Sequence, residues 1–516
     1  MQSSQPANPD GSKRNFAAFG VMLVIFLFAI DATIVSTSMP TIVGKLGGLD
    51  LYSWVFSIYM LTSALATPVF GKLADLFSKR RLMLVGIAIF LLGSLLCGAA
   101  QSMEAMIFFR AVQGVGGGAI YALSFIIVGV LFHADQRAKM QGLISAIWGI
   151  ASIFGPLAGG LIVEYTSWRW IFLVNLPLIA VATPMIIIGL KEATGERRAA
   201  RLDLAGAATL LVGLLLVFYA LTESAHRRHP LNAETVALLG AGGAVLVFFY
   251  FIERRAAEPI LPFDLFHIRL YKSSVTVATL AAMGVFGAIT YLPLYLQGVL
   301  GMSATGAGLV ILALSMGWTI GSLAAGQGIN RVGYRLVAVT GMLLLALGYG
   351  VFVLPFLNFG IAAVVISATI IGIGMGMANL TTLVAAQNAV DHQRIGVATS
   401  TIMLFRTFGA AFAVSLLGTV MLGQMQKSLS RLRATNTPVA AALWEKLANP
   451  QNLLEPLTRQ QIPQELLPRL IASLGDALWF AFLTGLILMI LGVAAALALA
   501  NQPPVTAPRR TQKSRV

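Results

Sequence analysis

Three charges stand where charge is expensive. "FLFAIDATIVSTSMP" (26–40) sets Asp31 in an otherwise apolar run, "FFRAVQG" (108–114) holds Arg110, and "FRTFG" (405–409) holds Arg406. A charge at the centre of a bilayer-spanning helix costs roughly 2.5–3.5 kcal/mol on insertion scales, and such residues mark ion paths or charge partners. A carboxylate can take up and release a proton, and burial and a nearby cation act on that equilibrium in opposite senses. Asp31 is therefore the candidate proton carrier. Arg110 is the candidate that balances it, directly or through water or Gln113. The bland alternatives are an Asp31 satisfied by Thr33, Ser36 or a backbone group, and an Arg110 that snorkels to the interface. Arg406 falls near a midplane with no acid placed to pair with it. Its reading stays open between anchoring through carbonyls and lining a cavity.

A substrate cavity in such a protein is mostly apolar and aromatic, with few polar groups. Candidates are Gln113, Tyr291, Tyr295, Gln297, Asn379, Phe405 and Arg406, with Tyr59, Phe109, Tyr121, Trp148, Trp318 and Gln387 behind them. Tyr291, Tyr295 and Gln297 lead because they cluster with Pro293. "GVGGG" (114–118) is spaced like a dinucleotide fingerprint, but no strand precedes it and it lies in an apolar span. Its small residues fit close helix packing in lipid instead.

The elements that position these residues are long apolar helices. Of 516 residues, 58% are hydrophobic and 11% charged, against about 25% charged in soluble domains. The apolar residues come in blocks of about 20, the length that crosses ~30 Å of hydrocarbon. Fourteen spans are expected, at 16–39, 52–71, 82–100, 104–131, 139–163, 170–190, 204–222, 234–252, 273–299, 306–329, 337–356, 360–389, 396–423 and 477–500. Asp31 lies about eight residues, and Arg110 about six, from the outer ends of their spans, so their depths differ by roughly 3 Å.

The formal charge of +15 sits between spans rather than on a nucleic-acid surface. With the N-terminus inside, inner segments hold clusters such as Lys79-Arg80-Arg81 and Arg197-Arg198. The short outer loops hold only Lys45, Arg169, Arg227 and Arg228. Both termini are then expected in the cytoplasm of a multi-pass plasma or inner membrane protein. Cys97 is the only cysteine, so no intrachain disulfide can form. "VAAALWEKLAN" (439–449) and "QELLPRLIASL" (464–474) in the long external 424–476 loop read as short amphipathic helices, capping an exit or simply tolerated as an insertion.

The chain repeats itself. "GKLADLFSKRR" (71–81) returns as "GQGINRVGYRL" (326–336), 255 residues later, and "DQRAKMQG" (135–142) as "HQRIGVAT" (392–399), 257 later. The expected organisation is a tail (1–15), a six-helix bundle (16–190), two inserted helices with linkers (191–272), a second six-helix bundle (273–500) and a tail (501–516). Two repeated halves are the plan of a secondary transporter with its site at their interface.

These motifs resemble the major facilitator superfamily, in particular its fourteen-helix drug:proton antiporter branch. The resemblance spans about 16–500. "GKLADLFSKRR" is similar to the family's loop signature, with Leu76 and Ser78 replacing a basic residue and a glycine. "RAVQGVGGG" (110–118), "GIASIFGPLAGG" (149–160), "DATIVSTSMP" (31–40) and "FRTFGAA" (405–411) resemble further signatures in the right order. The resemblance implies an all-α membrane fold and a proton-coupled exporter of lipophilic, cationic drugs working by alternating access. Gly71, Asp75, Lys79, Arg80 and Arg81 would form a cytoplasmic latch between the halves, and a topological anchor is the alternative reading of that loop. Gly155, Pro156, Gly159 and Gly160 would form a helix-bend and packing motif. An endogenous anionic or amphipathic metabolite or lipid is the other cargo class, since Arg110 and Arg406 face one deep acid.

Other functions find less in the chain. No Walker A motif is present, so ATP is not the expected energy source. An intramembrane protease needs a second deep aspartate or intramembrane histidines, and His133, His226, His229, His267 and His392 all fall in loops. A non-transporting receptor stays open. The expected partners are a small lipophilic substrate, protons and the lipid bilayer, with no cofactor, metal or nucleic acid. The residues name no adaptor protein.

Overall fold

A computed structural model describes residues 11–46, 51–132, 134–190, 203–226, 233–256, 259–354, 360–434, 444, 447 and 461–500. Within a bilayer every backbone N–H and C=O must be satisfied internally, so an apolar chain of this kind folds as helices. The described residues hold no strand. The helices are α1 (Gly11–Leu46), α2 (Tyr52–Leu76), α3 (Lys79–Ala99), α4 (Met103–Leu131), α5 (Ala134–Tyr165), α6 (Trp170–Leu173), α7 (Asn175–Gly189), α8 (Leu204–His226), α9 (Ala233–Glu253), α10 (Arg269–Leu294), α11 (Ala304–Val353), α12 (Gly360–Asn388), α13 (Ile395–Ala434) and α14 (Leu467–Leu497). Among the described residues, 11 helical stretches are long and apolar enough to cross a membrane, with α6 and α7 counted as one.

Serines start several of them. The Ser78, Ser102 and Ser303 hydroxyls accept from the N–H of Arg81, Ala105 and Gly306, at the starts of α3, α4 and α11. Ser78 thus does a capping job where its counterpart in the repeat, Gly333, does something else. Gly333 adopts φ 82°, ψ 170° and breaks the 50-residue α11. At 1.5 Å per residue α11 is about 75 Å long, more than twice the hydrocarbon thickness. Glycine accepts a positive φ without penalty.

Two expected boundaries move furthest. Helix α13 runs on to Ala434, well past 423, and α14 begins at Leu467, ahead of 477. The 464–474 stretch is therefore not a separate amphipathic helix. Leu470, Leu474 and Leu478 continue one buried stripe into the spanning part, with Pro468 in the first turn, where its missing N–H is harmless. The 439–449 stretch lies outside the described residues except for Trp444 and Leu447, which are buried.

Helices α1–α7 pack among themselves, as do α10–α14. One large apolar cluster consists wholly of residues between Leu270 and Leu499. The other is built on α1–α5 and α7 and reaches across to Leu383 and Ala386 of α12 and Val397, Ala398, Ile402 and Met403 of α13. The two groups meet where α2 and α4 touch α13 and where α5 touches α11 and α12. The α8–α9 hairpin lies over the α2–α13 seam, with Leu210, Leu214, Phe218 and Phe249 against Leu65 and Leu404.

Candidate functional site

Asp31 is wholly buried and Arg110 is 1% exposed. Arg110 Nη1 donates to Asp31 Oδ2 at 2.8 Å and to Gln113 Oε1 at 2.9 Å. Gln113 Nε2 donates to Asp31 Oδ1 at 2.9 Å. Asn175, at the start of α7, adds a longer contact to Oδ1 at 3.4 Å and a firm one to Ser94 Oγ at 2.8 Å. Ser94 in turn donates to the Phe172 carbonyl at 2.8 Å. The carboxylate thus receives donors from α4 and α7, and α3 steadies one of them.

Arg110 is held on its other side too. Its Nε donates to the Val55 carbonyl at 3.4 Å, and its guanidinium lies 3.9 Å from the centroid of the Tyr59 ring. The guanidinium therefore points inward and does not snorkel. The "GVGGG" stretch makes this geometry possible, because a Cβ on Gly116 would come within 2.6 Å of Phe90 Cα on α3. Its glycines let neighbouring backbones approach closely, as small residues do in lipid.

Gly155 is buried where α5 crosses α1 just beyond Asp31. A Cβ there would lie 2.8 Å from Thr33 Cβ, and Thr33 Oγ1 donates to the Ala151 carbonyl at 3.2 Å. Gly159 is buried, but Gly160 is exposed with nothing within 4 Å of a built Cβ. Gly160 therefore contributes no packing contact, a correction to its place in the motif. The Pro156 side chain lies outside the described residues.

At the far end of α2, Asp75 accepts two backbone hydrogen bonds from the first turn of α13, from Gly396 N and Val397 N, both at 2.8 Å. Gly71 lies against the same turn, and a Cβ on it would sit 3.2 Å from the Gly396 carbonyl. Lys79 and Lys72 interact electrostatically with Asp75. The other two basic residues go elsewhere. Arg80 donates to the Ile187 carbonyl at 3.3 Å near the end of α7, and the Arg81 side chain is exposed.

Further polar links join the groups at this same end. Arg137 of α5 donates to Asn388 of α12, and Asn388 donates to Tyr334 Oη at 2.6 Å. Gln141 Nε2 donates to Gln387 Oε1 at 2.8 Å, and Gln387 Nε2 to Thr399 Oγ1 at 2.9 Å. All these links lie at the end where α2 finishes and α13 begins.

The leading cavity candidates are not brought together. The Tyr291 hydroxyl donates to the Val414 carbonyl at 2.6 Å, tying α10 to α13. Tyr295 meets Phe352 and Phe482 edge-on, tying the end of α10 to α11 and α14. Gln297 is half-buried nearby. In lipid a hydroxyl must find an acceptor inside the protein; α13 supplies it for Tyr291, and Tyr295 packs through its ring, so both tyrosines serve their own bundle. Gln113 belongs to the Asp31 network. The aromatic residues that do converge are Phe28, Tyr121 and Trp148, with Phe28–Tyr121 at 5.4 Å and Phe28–Trp148 at 5.6 Å. Arg406 donates to the Asn379 carbonyl and, at 3.2 Å, to Thr382 Oγ1. Phe405, beside it, packs on Phe266 with centroids 5.9 Å apart.

Sequence reasoning missed Asn175, Ser94, Arg137 and Asn388. The available signal for Asn175 was an amide in an otherwise apolar span. For Arg137 it was the repeated "DQR" segment, read only as evidence of duplication.

Comparisons with known proteins agree with this architecture. The family model of the Major Facilitator Superfamily matches residues 21–414. The chain is 35% identical over 509 residues to the multidrug transporter protein MdtP of Bacillus subtilis, covering 95% of this chain and 93% of the relative. It is 32% identical over 507 residues to multidrug resistance protein 3 of the same organism, covering 97% and 98%. Among solved structures, the human organic anion transporter MFSD10 superposes with a TM-score of 0.61 at 15% identity, covering 95% of this chain and 100% of that one. These similar proteins are transporters, not enzymes.

Proposed function

The chain belongs to the Major Facilitator Superfamily, and on that premise we propose that it is a secondary active exporter that moves lipophilic drugs out of the cell in exchange for protons. Export of drugs is supported by the relatives' names. Proton coupling rests on one observation, the fully buried carboxylate–guanidinium pair of Asp31 and Arg110 in the spanning region. A buried pair is tolerated because its charges and lone pairs are satisfied together. When the bundle shifts and weakens those bonds, Asp31 becomes able to take a proton from one side and give it up to the other. An ion gradient supplies about 2.3 kcal/mol per charge per 100 mV to drive such a cycle.

The chain crosses the bilayer fourteen times in this reading. To the 11 stretches are added α5, α8 with its apolar Ala205–Ala220 segment, and the second half of α11 beyond Gly333. Both termini are cytoplasmic, so the Asp75, Arg137 and Gln141 links close the inner end, as in an outward-facing state. Six crossings precede the α8–α9 hairpin and six follow it. Breaking and remaking the inner links while α5 rocks on α1 at Gly155 gives alternating access.

An anionic or amphipathic cargo is the second reading. It is favoured by the engagement of Asp31, whose carboxylate is already taken up by Arg110, Gln113 and Asn175. Transport by purified protein in liposomes tests the main proposal. The variant Asp31→Asn with Arg110→Gln removes both charges and leaves neither buried alone. It is expected to insert and fold, and to lose accumulation of a lipophilic dye driven by an imposed pH gradient. Accumulation at the wild-type rate would place proton coupling elsewhere.

A further inference from the structure

Two carboxylates meet at the base of the α8–α9 hairpin, apart from the Asp31 network and from the Asp75 contact. Asp203 precedes α8, and its Oδ1 accepts from the Gly206 N–H at 2.8 Å. Glu253 ends α9, and its Oε1 accepts from the Leu261 N–H at 2.6 Å, which brings Leu261 back onto the helix end. Each carboxylate has one oxygen left over. Asp203 Oδ2 and Glu253 Oε2 are both buried, and neither has a hydrogen-bond partner. Glu253 as a whole is only 3% exposed.

The two leftover oxygens converge on one point. A Cβ on Gly206 would lie 2.3 Å from Asp203 Oδ2 and 2.8 Å from Glu253 Oε2. The oxygens are therefore no more than about 5 Å apart, close enough for two negative charges to disfavour each other. Gly206, having no side chain, leaves the space between them open. Lys72 of α2 interacts electrostatically with Glu253, as it does with Asp75. Arg254 turns to the Tyr250 ring, 5.8 Å from its centroid, and Arg255 is exposed. Farther along the chain, Asp264 is held by Arg394. Two acids against one buried lysine leave one negative charge over.

Buried acceptors need a donor, and a single proton between two carboxylates supplies one. Among the described residues no group of three or more acidic, histidine or cysteine side chains is placed to hold a metal ion. Two side-chain oxygens suit a proton better than a metal, which takes about four to eight ligands. We propose that Asp203 and Glu253 share one proton at neutral pH, forming a proton-binding site that pins the base of the inserted hairpin. The proton is an O–H on one carboxyl group that donates to the free oxygen of the other. It comes from water and returns to water through the open groove that Asp203 lines with Phe248, Phe251, Ile252, Arg255 and Ala256. Once it leaves, two negative charges face each other, and the start of α8 and Leu261 loosen from the end of α9. The site itself does not depend on export. Only its place on the cytoplasmic side rests on the topology proposed above.

Thermal unfolding of the purified full-length protein, from mildly acidic to alkaline pH, tests the site. Glu253→Gln and Asp203→Asn each keep the oxygen that accepts from the backbone and replace the shared O–H by an amide N–H that cannot leave. Each single variant should unfold at the wild-type temperature at neutral pH. The unfolded chain binds no proton at these two groups at neutral pH, whereas the native pair holds one. Wild-type stability should therefore fall, relative to both variants, as the pH rises. Combining the two substitutions sets two N–H₂ groups against each other, so the double variant should be less stable than either single one. The infrared spectrum reads the proton directly. A carboxylic-acid carbonyl band present in the wild type at neutral pH should be lost at alkaline pH and in both single variants. The proposal fails if both single variants are more stable than the wild type and the double variant more stable still, since the acids are then both ionised and merely repel. It fails if magnesium, calcium or sodium ions stabilise the wild type but neither single variant, since a metal ion then holds the pair. It fails equally if the carbonyl band of the wild type is unchanged in Glu253→Gln and in Asp203→Asn.

Discussion

Asp31 accepts from Arg110, Gln113 and Asn175, so the single change Asp31→Asn is less conservative than its shape suggests. Asparagine keeps one acceptor and turns an N–H₂ toward donors. Arg110 would then be buried without a counter-charge, keeping Gln113 Oε1 at 2.9 Å, the Val55 carbonyl at 3.4 Å and the Tyr59 ring. Breaking a buried pair from one side costs about 3–5 kcal/mol, mostly through the charge left behind. Asp31→Asn is therefore expected to lower the unfolding temperature of the purified protein. Adding Arg110→Gln should restore most of the loss. A single variant as stable as the wild type would mean that Gln113, the Val55 carbonyl and the Tyr59 ring suffice, and that the pair is not what neutralises Arg110.

At the scale of elements, the contact between α2 and α13 is a carboxylate capping a helix N-terminus, with two N–H bonds and the favourable end of the helix dipole. Hydrogen bonds to a charged acceptor contribute about 1.5–3 kcal/mol, and about 1.4 kcal/mol is a tenfold change in an equilibrium. Asp75→Asn keeps the fold, because the residue is half-buried at a helix end, yet should reduce the population with this end closed by about tenfold. Gly396→Ala should act in the same direction, since its Cβ would come 2.7 Å from Asp75 Cγ. A cysteine at Ser400, in a chain with Cys97 replaced by serine, reports the change through faster labelling from the cytoplasmic side. Unchanged labelling and unchanged export in both variants would leave the 71–81 loop as a topological anchor.

The whole molecule makes a topological prediction. If the chain crosses fourteen times with both termini inside, as proposed, reporters fused after Arg201, Arg269 or Arg515 should read cytoplasm, and one inserted near Pro450 should read the outside. A cytoplasmic signal at Pro450 would remove a crossing and undo the six-plus-two-plus-six plan. The same signal would detach the long α13 and α14 ends from the outer face to which they are assigned here.

By itself the sequence determined what each stretch is made of and where polarity interrupts it. Blocks of apolar residues located the helices, because twenty residues and ~30 Å are the same statement. The repeats exposed Gly333 as the counterpart of Ser78, and counting residues along spans set Asp31 and Arg110 at nearly one depth. The tertiary structure alone decided which faces meet. In lipid a helix is apolar all round, so periodicity does not say which side faces a neighbour. That is why Asn175 of α7 could not be assigned to Asp31, nor Arg80 to the Ile187 carbonyl, nor Arg137 to Asn388 some 250 residues away. It is also why Tyr291 and Tyr295, well placed by composition, turned into their own bundle, while Phe28, Tyr121 and Trp148, from three separate helices, came together. Partners across a helix interface are set by backbone approach at small residues such as Gly116 and Gly155. The positions of those glycines can be read along the chain, but what lies against them exists only once the chain has folded.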